Sequence, residues 1–264
     1  MTTPTEVVTL AVTDGLATIT LNRPRASNAL DTGMKEALLR AVSAVAADPD
    51  VRAVLLRAEG RNFCVGQDLA EHSAALDADP ATAMSTVGKH YNPLLTAFAA
   101  LTVPVVAVIN GACVGAGMGL ALASDIRIAG ETATFATAFT AIGLAADSGL
   151  SLSLAGAVGP SRASALLLLG DRVTAAQAHD WGLVHRVVPD DQLGAAGTEL
   201  AASLATGPTH AYREVKSILA QGHSSLPAAL ERERRAQELL GATADHRAAV
   251  TAFLTKTTPV FTGR

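Results

Sequence analysis

The 264-residue sequence predicts an α/β fold, made of strand–strand–helix units and closed by a tail of helices. Three observations carry this. Short β-rich runs alternate with helix-periodic ones through the first two thirds of the chain. One run, residues 103–109, is continuously apolar, as in a strand buried on both faces. From Gly149 onward the pattern is mostly helical, with one last short strand within residues 182–189.

Each element has its own local reason. Residues 6–22 hold two β-rich runs around Asp14-Gly15, a pair that favours a hairpin turn because both residues tolerate positive φ. A helix starts near Asp31, where Met34, Leu38, Leu39, Val42 and Val45 recur at helical spacing. Residues 51–58 form the next strand. Asp68 and Glu71 have the spacing of a capping box and open a helical segment. Residues 74–80 are expected to be a mobile loop, with helix resuming near Thr82 and ending around Leu101. After the apolar strand comes a Gly-rich helix start, then short strands at 126–129 and 134–135. Three helices are expected at roughly 190–205, 209–221 and 226–256. The division is therefore a core over residues 1–200 and a helical region over 201–264. That region has little sheet to pack on and suits a contact with a neighbouring subunit.

Composition narrows the function classes. Charged residues are 17% and apolar ones 49%, so much surface should be buried, subunit contacts included. A formal net charge of −4 gives no electrostatic reason to bind nucleic acid or an anionic membrane. The two cysteines, Cys64 and Cys113, do not make a disulfide scaffold at this length; each reads as a small buried filler in a reducing cytoplasm. Residues 1–9 lack the basic start and apolar stretch of a signal peptide. Residues 91–124 contain no Asp, Glu, Lys or Arg, but Pro93, Pro104, Asn110 and several glycines interrupt them. A membrane helix needs about 20 apolar residues in a row. A soluble, cytoplasmic protein is expected.

Two Gly-punctuated, nearly uncharged segments stand out: residues 63–68 (FCVGQD) and 110–119 (NGACVGAGMG). Each runs from a strand end into a helix start, where backbone N–H groups lack partners. Two such groups aimed at one point would stabilise a thioester carbonyl as it gains negative charge. Glycines at 115, 117 and 119 would let a ligand approach the backbone, or would serve tight helix–sheet packing. A dinucleotide fingerprint needs G-x-G-x-x-G, whereas the third glycine here comes one place early. There is no Gly-Lys-Ser/Thr of a P-loop, no G-x-S-x-G elbow and no metal-ligand spacing.

Five stretches, in order, resemble signatures of the crotonase (enoyl-CoA hydratase/isomerase) family. They are residues 21–30 (LNRPRASNAL), 63–69 (FCVGQDL), 104–129, 175–189 (AAQAHDWGLVHRVVP) and 253–264 (FLTKTTPVFTGR). The resemblance implies a spiral of ββα units with a C-terminal helical trimerisation region. It implies an acyl-CoA thioester as substrate, no metal or redox cofactor, and a homotrimer or hexamer. It makes the N–H groups of Gln67 and Ala116 the two oxyanion donors. It assigns CoA contacts to the loop carrying Arg23, Arg25, Ala26, Asn28 and Ala29, and substrate contacts to Val65, Gly66, Asp68, Leu69, Gly115, Phe139 and Leu144. Lys256 and Phe261 resemble C-terminal residues that reach CoA, often from an adjacent subunit. The basic residues among these read equally as solvated surface charge.

The acid–base group is where the sequence departs from the family's hydratases. Those carry two glutamates, and the matching positions here are Gly119 and Phe139, neither able to transfer a proton. One carboxylate stands nearby. Residues 142–150 (IGLAADSGL) resemble a stretch of family isomerases, 1,2-epoxyphenylacetyl-CoA isomerases among them, in which an Asp at the position of Asp147 is catalytic. Leu144, Ala145, Ala146 and Leu150 flank it, and apolar surroundings raise a carboxyl pKa. Asp147 also reads as the N-cap of a helix over 149–157. Asp68 reads as a helix cap, Asp125 as a structural hydrogen-bonding group, and His72 and His90 as surface or packing residues within reach of the acyl pocket. The activity expected is an acyl-CoA isomerase; the alternatives are an enoyl-CoA hydratase and a non-catalytic acyl-CoA-binding protein.

Overall fold

The computed structural model describes residues 6–220 and 225–263. Residues 1–5, on which the leader reading partly rests, and Gln221, the expected end of one helix, lie outside them. The hairpin forms as expected: β1 (Val8–Thr13) pairs antiparallel with β2 (Leu16–Leu21) across Asp14 and Gly15, both at positive φ. Next come α1 (Thr32–Ala47), capped by the Asp31 side chain on the Met34 N–H, and β3 (Ala53–Ala58). Then follow α2 (Leu69–Ala78), α3 (Asn92–Ala99), β4 (Val105–Ile109), β5 (Ala112–Val114), α4 (Ala116–Leu122), β6 (Ile126–Gly130) and β7 (Thr134–Ala136). The chain continues through α5 (Leu150–Val158), α6 (Pro160–Leu169), β8 (Val173–Thr174), α7 (Ala175–Asp180) and β9 (Arg186–Val188). It ends in α8 (Leu193–Ala205), α9 (Thr209–Ala220), α10 (Leu226–Gly241) and α11 (Ala244–Thr255).

Two sheets result. The larger has the order β1-β2-β3-β4-β6-β9 and is parallel after its opening hairpin; the smaller has the order β5-β7-β8. Burial on both faces explains the continuous apolar runs. Val54, Leu56, Val105, Ala107 and Ile109 join the main core with Met34 and Leu38 of α1. Leu55, Val106 and Val108 point the other way, onto Leu193 and Ala201 of α8. The expected boundary at 200 therefore runs through a helix that belongs with the sheet.

Three local expectations need correction. Residues 74–78 are the second half of α2, not a loop, and helix resumes at Ser85 through a wide π-type turn over Val87–Tyr91. The capping box is only half made. Asp68 accepts from the N–H groups of Ala70 and Glu71, but Glu71 turns away to take the Thr32 N–H and the Lys35 ammonium. The helix expected over 226–256 is two, because Thr243 caps a new start by accepting from the His246 N–H.

Asp245, buried on α11, fixes the C-terminal arm. It accepts from the N–H groups of Thr262 at 2.7 Å and Gly263 at 2.9 Å, and from the Thr262 hydroxyl. Charged hydrogen bonds contribute about 1.5–3 kcal/mol each. Asp245→Ala should therefore cost about 2–4 kcal/mol in urea unfolding and open the Lys256 bond to trypsin. Unchanged stability and the parent's digestion pattern would refute the clamp.

Candidate active site

The two Gly-punctuated segments, 42 or more residues apart in sequence, lie side by side. Cys64 and Cys113 form a parallel bridge, with the Cys64 N–H donating to Ala112 O at 3.1 Å and the Val114 N–H to Cys64 O at 2.9 Å. Gly66 sits at φ +88°, and a Cβ on it would stand 3.0 Å from Val114 O and 3.3 Å from Ala116 N. Only glycine lets this chain press so closely against the start of α4. Gly117 stacks on Cys64 in the same way. The glycines thus serve close packing, and that packing sets Gln67 beside α4. Neither the Gln67 nor the Ala116 N–H has an acceptor among the described residues. Both thiols are free and buried, and burial pushes Cys64 up to about 12, so each is an inert filler as expected.

Gln67 and Asp147 share an apolar cavity of about 50 Å³, walled by Leu69, Met84, Phe139, Ile142 and Leu144. Asp147 lies in the bend before α5. Burial raises its carboxyl above the ordinary aspartate value; a hydrogen bond from the Ser148 hydroxyl at 2.8 Å and the charge of Lys35 pull partly the other way. It is not a side-chain cap: Gly149 holds the cap position of α5, and Asp147 contributes only its carbonyl, to the Leu150 N–H. Ser148 packs onto Gly119, where an added Cβ would stand 2.5 Å from the Ser148 Cβ and 2.9 Å from its carbonyl oxygen. The bend that carries Asp147 occupies the space a longer side chain at 119 would need.

Behind Gln67 lies a network that the sequence reading missed. Lys35 is 1% exposed, and its ammonium donates to Thr86 Oγ1 at 2.7 Å, Glu71 Oε1 at 3.1 Å and Gln67 Oε1 at 3.2 Å. The Tyr91 hydroxyl donates to the same Gln67 oxygen at 2.7 Å, and the Tyr91 ring faces the ammonium at 5.1 Å. A sequence signal did exist: Lys35, Leu38, Val42 and Val45 follow the inward stripe of α1, so a cation stands at a core position. His72 lines the apolar cavity and a polar one of about 350 Å³ beyond it; His90 lines the latter and bonds to Thr86.

The enoyl-CoA hydratase/isomerase family profile matches residues 11–264. The chain belongs to this family. The 1,2-epoxyphenylacetyl-CoA isomerase of Escherichia coli K12 is 38% identical over 98% of this chain and 99% of its own. The trans-2-decenoyl-[acyl-carrier-protein] isomerase of Streptococcus mutans is 34% identical over 96% and 97%. The crystallised enoyl-CoA hydratase of Bacillus anthracis superposes with a TM-score of 0.90 at 30% identity, covering 98% of this chain and all of that one. The crotonase-type fold expected from sequence is therefore the fold present.

Within this family frame, several expected CoA contacts are committed elsewhere. Asn28 is fully buried: its amide donates to Glu59 O and Asn62 O, and its oxygen accepts from the Arg23 N–H. Its side chain shapes the loop and is not available to a ligand. Arg23 bonds internally to Ala29 O at 2.8 Å, Asp68 at 2.6 Å and Asp31 at 3.1 Å, which also occupies the Ala29 carbonyl. That guanidinium holds the Asp68 carboxyl below its ordinary value. Arg25 remains exposed, and Ala26 and Val65 are half-buried. Lys256 and Phe261 line neither the Asp147 cavity nor the polar one beside it; Phe261 packs by α9 and α11, its carbonyl taken by Arg52. Asp125 is structural, bonded to the Val105 N–H and Lys216. Among the described residues no cluster of His, Cys, Asp or Glu could hold a metal, and no helix is long and apolar enough to cross a membrane.

Proposed function

We propose that this protein is an isomerase of unsaturated acyl-CoA thioesters. The observation that carries the reading is Asp147, the one carboxylate lining the apolar cavity that Gln67 also lines. The thioester oxygen sits between the Gln67 and Ala116 N–H groups, which take up charge as it develops. The Asp147 carboxylate removes a proton from the α carbon of a 3-enoyl thioester, and the C–H electron pair moves onto the thioester oxygen to give a dienolate. As that pair returns through the α–β bond, the protonated Asp147 delivers the proton to the γ carbon. The double bond shifts, and nothing is oxidised or reduced. Two peptide N–H groups supply the stabilisation, so the step as written uses no metal or redox cofactor. A raised carboxyl pKa suits a group that must both take and return a proton.

Gly119 and Phe139 support isomerisation over hydration, since neither can deliver the elements of water and Ser148 already fills the space above Gly119. The two relatives described as isomerases are in keeping with this reading. CoA would run along Arg25, Ala26 and the backbone of residues 65–69 and 115, with Lys256 and Phe261 supplied by another subunit. Exposed Leu226, Leu230, Leu239, Phe253 and Leu254 on the last two helices suit such a trimer or hexamer.

The test is a 3-enoyl-CoA in deuterated water, followed by mass spectrometry and proton NMR. The expected product is the 2-enoyl-CoA, with deuterium at the γ carbon to the extent that Asp147 exchanges with solvent. Accumulation of a 3-hydroxyacyl-CoA at a comparable rate would make the protein a hydratase. Binding with no change of the substrate would make it a passive acyl-CoA carrier.

A further inference from the structure

We infer that Lys35 is a positioning residue for the reaction: from behind the cavity it anchors the Gln67 side chain, and thereby the Gln67 peptide N–H, and holds a positive charge facing the site. The inference rests on the acyl-CoA reading of that N–H.

Three elements meet at this ammonium. Lys35 comes from α1, Gln67 and Glu71 from the segment opening α2, Thr86 and Tyr91 from the π-type turn before α3. Gln67 is held at both ends of its amide. Its oxygen accepts from Lys35 and Tyr91, and its nitrogen donates to Glu71 Oε1 at 3.2 Å. Because Glu71 Oε1 also takes Lys35, the three side chains close a ring. On its backbone side, Gln67 is flanked by the Leu30–Gly66 and Asp68–Leu30 hydrogen bonds, which leave its own N–H without an acceptor among the described residues. A peptide fixed in front and behind cannot rotate away as charge develops on a bound oxygen, and misplacement near 1 Å costs on the order of 10²-fold in rate.

A fully buried ammonium is costly unless paired. Here one carboxylate touches it, and that carboxylate is also claimed by the Thr32 N–H. A stable core would be met more simply by an apolar residue on this inward stripe of α1. The charged and titratable groups facing the ammonium are Glu71 in contact, Tyr91 through its ring, His90 through Thr86, and Asp147 across the cavity. Burial, then the charge of Asp147, keeps Tyr91 protonated, so its hydroxyl stays a donor to Gln67. Arg23 pairs with Asp68 and does not reach this group. Lys35 is thus the cation whose field acts on Asp147 and on an enolate forming beside it.

The experiment uses acetoacetyl-CoA, a thioester that enolises readily and whose bound enolate is read by its ultraviolet band without turnover. The parent, Lys35→Gln, Lys35→Met, Tyr91→Phe and Asp147→Asn are titrated with it across pH, alongside kcat, KM and melting curves. Lys35→Gln is expected to lower the bound enolate fraction at a given pH about tenfold, to lower kcat with KM within about threefold, and to move the acidic limb of kcat/KM upward, because Asp147 loses a stabilising cation. Tyr91→Phe should lower the enolate fraction without moving that limb. Asp147→Asn should lose turnover and keep the band, which separates failure of the isomerase assignment from failure of this inference. An unchanged enolate titration and pH profile in Lys35→Gln overturns the role; if Lys35→Met does not fold, Lys35→Gln decides alone. No enolate band in the parent would overturn the thioester site and this inference together.

Discussion

Asp147→Asn should lower kcat for double-bond migration by about 10²–10⁴-fold, the range ascribed to a positioned acid–base group, while leaving KM near the parent value. The amide keeps the size and the Ser148 hydrogen bond but cannot carry a proton between two carbons. The stability effect runs the other way. The folded state holds the carboxyl above its unfolded value, chiefly through burial, so it binds more protons than the unfolded chain in the interval between the two. Stability from this group therefore falls as pH rises through that interval, and the ionised form is a net cost at neutral pH. The variant should melt no lower than the parent at pH 7, and its advantage should disappear in acid below the ordinary aspartate range. The same shift places the acidic limb of the parent's kcat/KM above the ordinary aspartate pKa. A dead variant that is also much less stable would mean the carboxylate is structural.

Gly117→Ala should be the second large effect, and its sign is opposite to the usual rule. Replacing glycine by alanine inside a helix ordinarily stabilises by about 0.5–1 kcal/mol. At 117 the new methyl would meet the Cys64 carbonyl and stand 2.8 Å from the Cys64 Cβ, so helix α4 and the first oxyanion segment must separate. Overpacking of this kind costs about 1–3 kcal/mol. Parting the two N–H groups should cost about 10²–10³ in kcat, comparable to losing one oxyanion donor. Gly156→Ala in α5, where nothing lies within 4 Å, is the matched control and should be neutral or slightly stabilising. Denaturant melts and kcat on the two variants check both halves. Equal behaviour of the two would refute the close-packing account.

Much of the fold was legible because it depends on neighbours in sequence. Asp14-Gly15 turns the chain wherever it stands, Asp31 caps its own helix, and the alternation of Val54 to Leu56 and Val105 to Ile109 announces two buried faces. The errors fell where a local preference met a distant competitor. Glu71 has the spacing to close a capping box, but the Thr32 N–H and Lys35 draw it away and, against burial, hold its carboxyl below the usual range. Ala-rich residues 74–78 carry no strong stop signal, and α2 simply continues through them to Ala78. Asn28 and Arg23 are a different case: the motif assigns them to CoA, and the fold shows the inward bonds by which they build the loop itself.

By itself the sequence determined the family, the α/β order of elements, the two Gly-punctuated segments and the singular carboxylate at 147, because these are matters of pattern and residue type. Tertiary structure alone decided that Gly66 and Gly117 clamp those segments together, that Ser148 fills the space over Gly119, and that a lysine on an inward helix face becomes the anchor of Gln67. The reason is range. A cap or a turn acts over three or four residues, whereas the bonds from Lys35 reach 32, 36 and 51 residues along the chain, to groups whose meeting only the folded packing fixes.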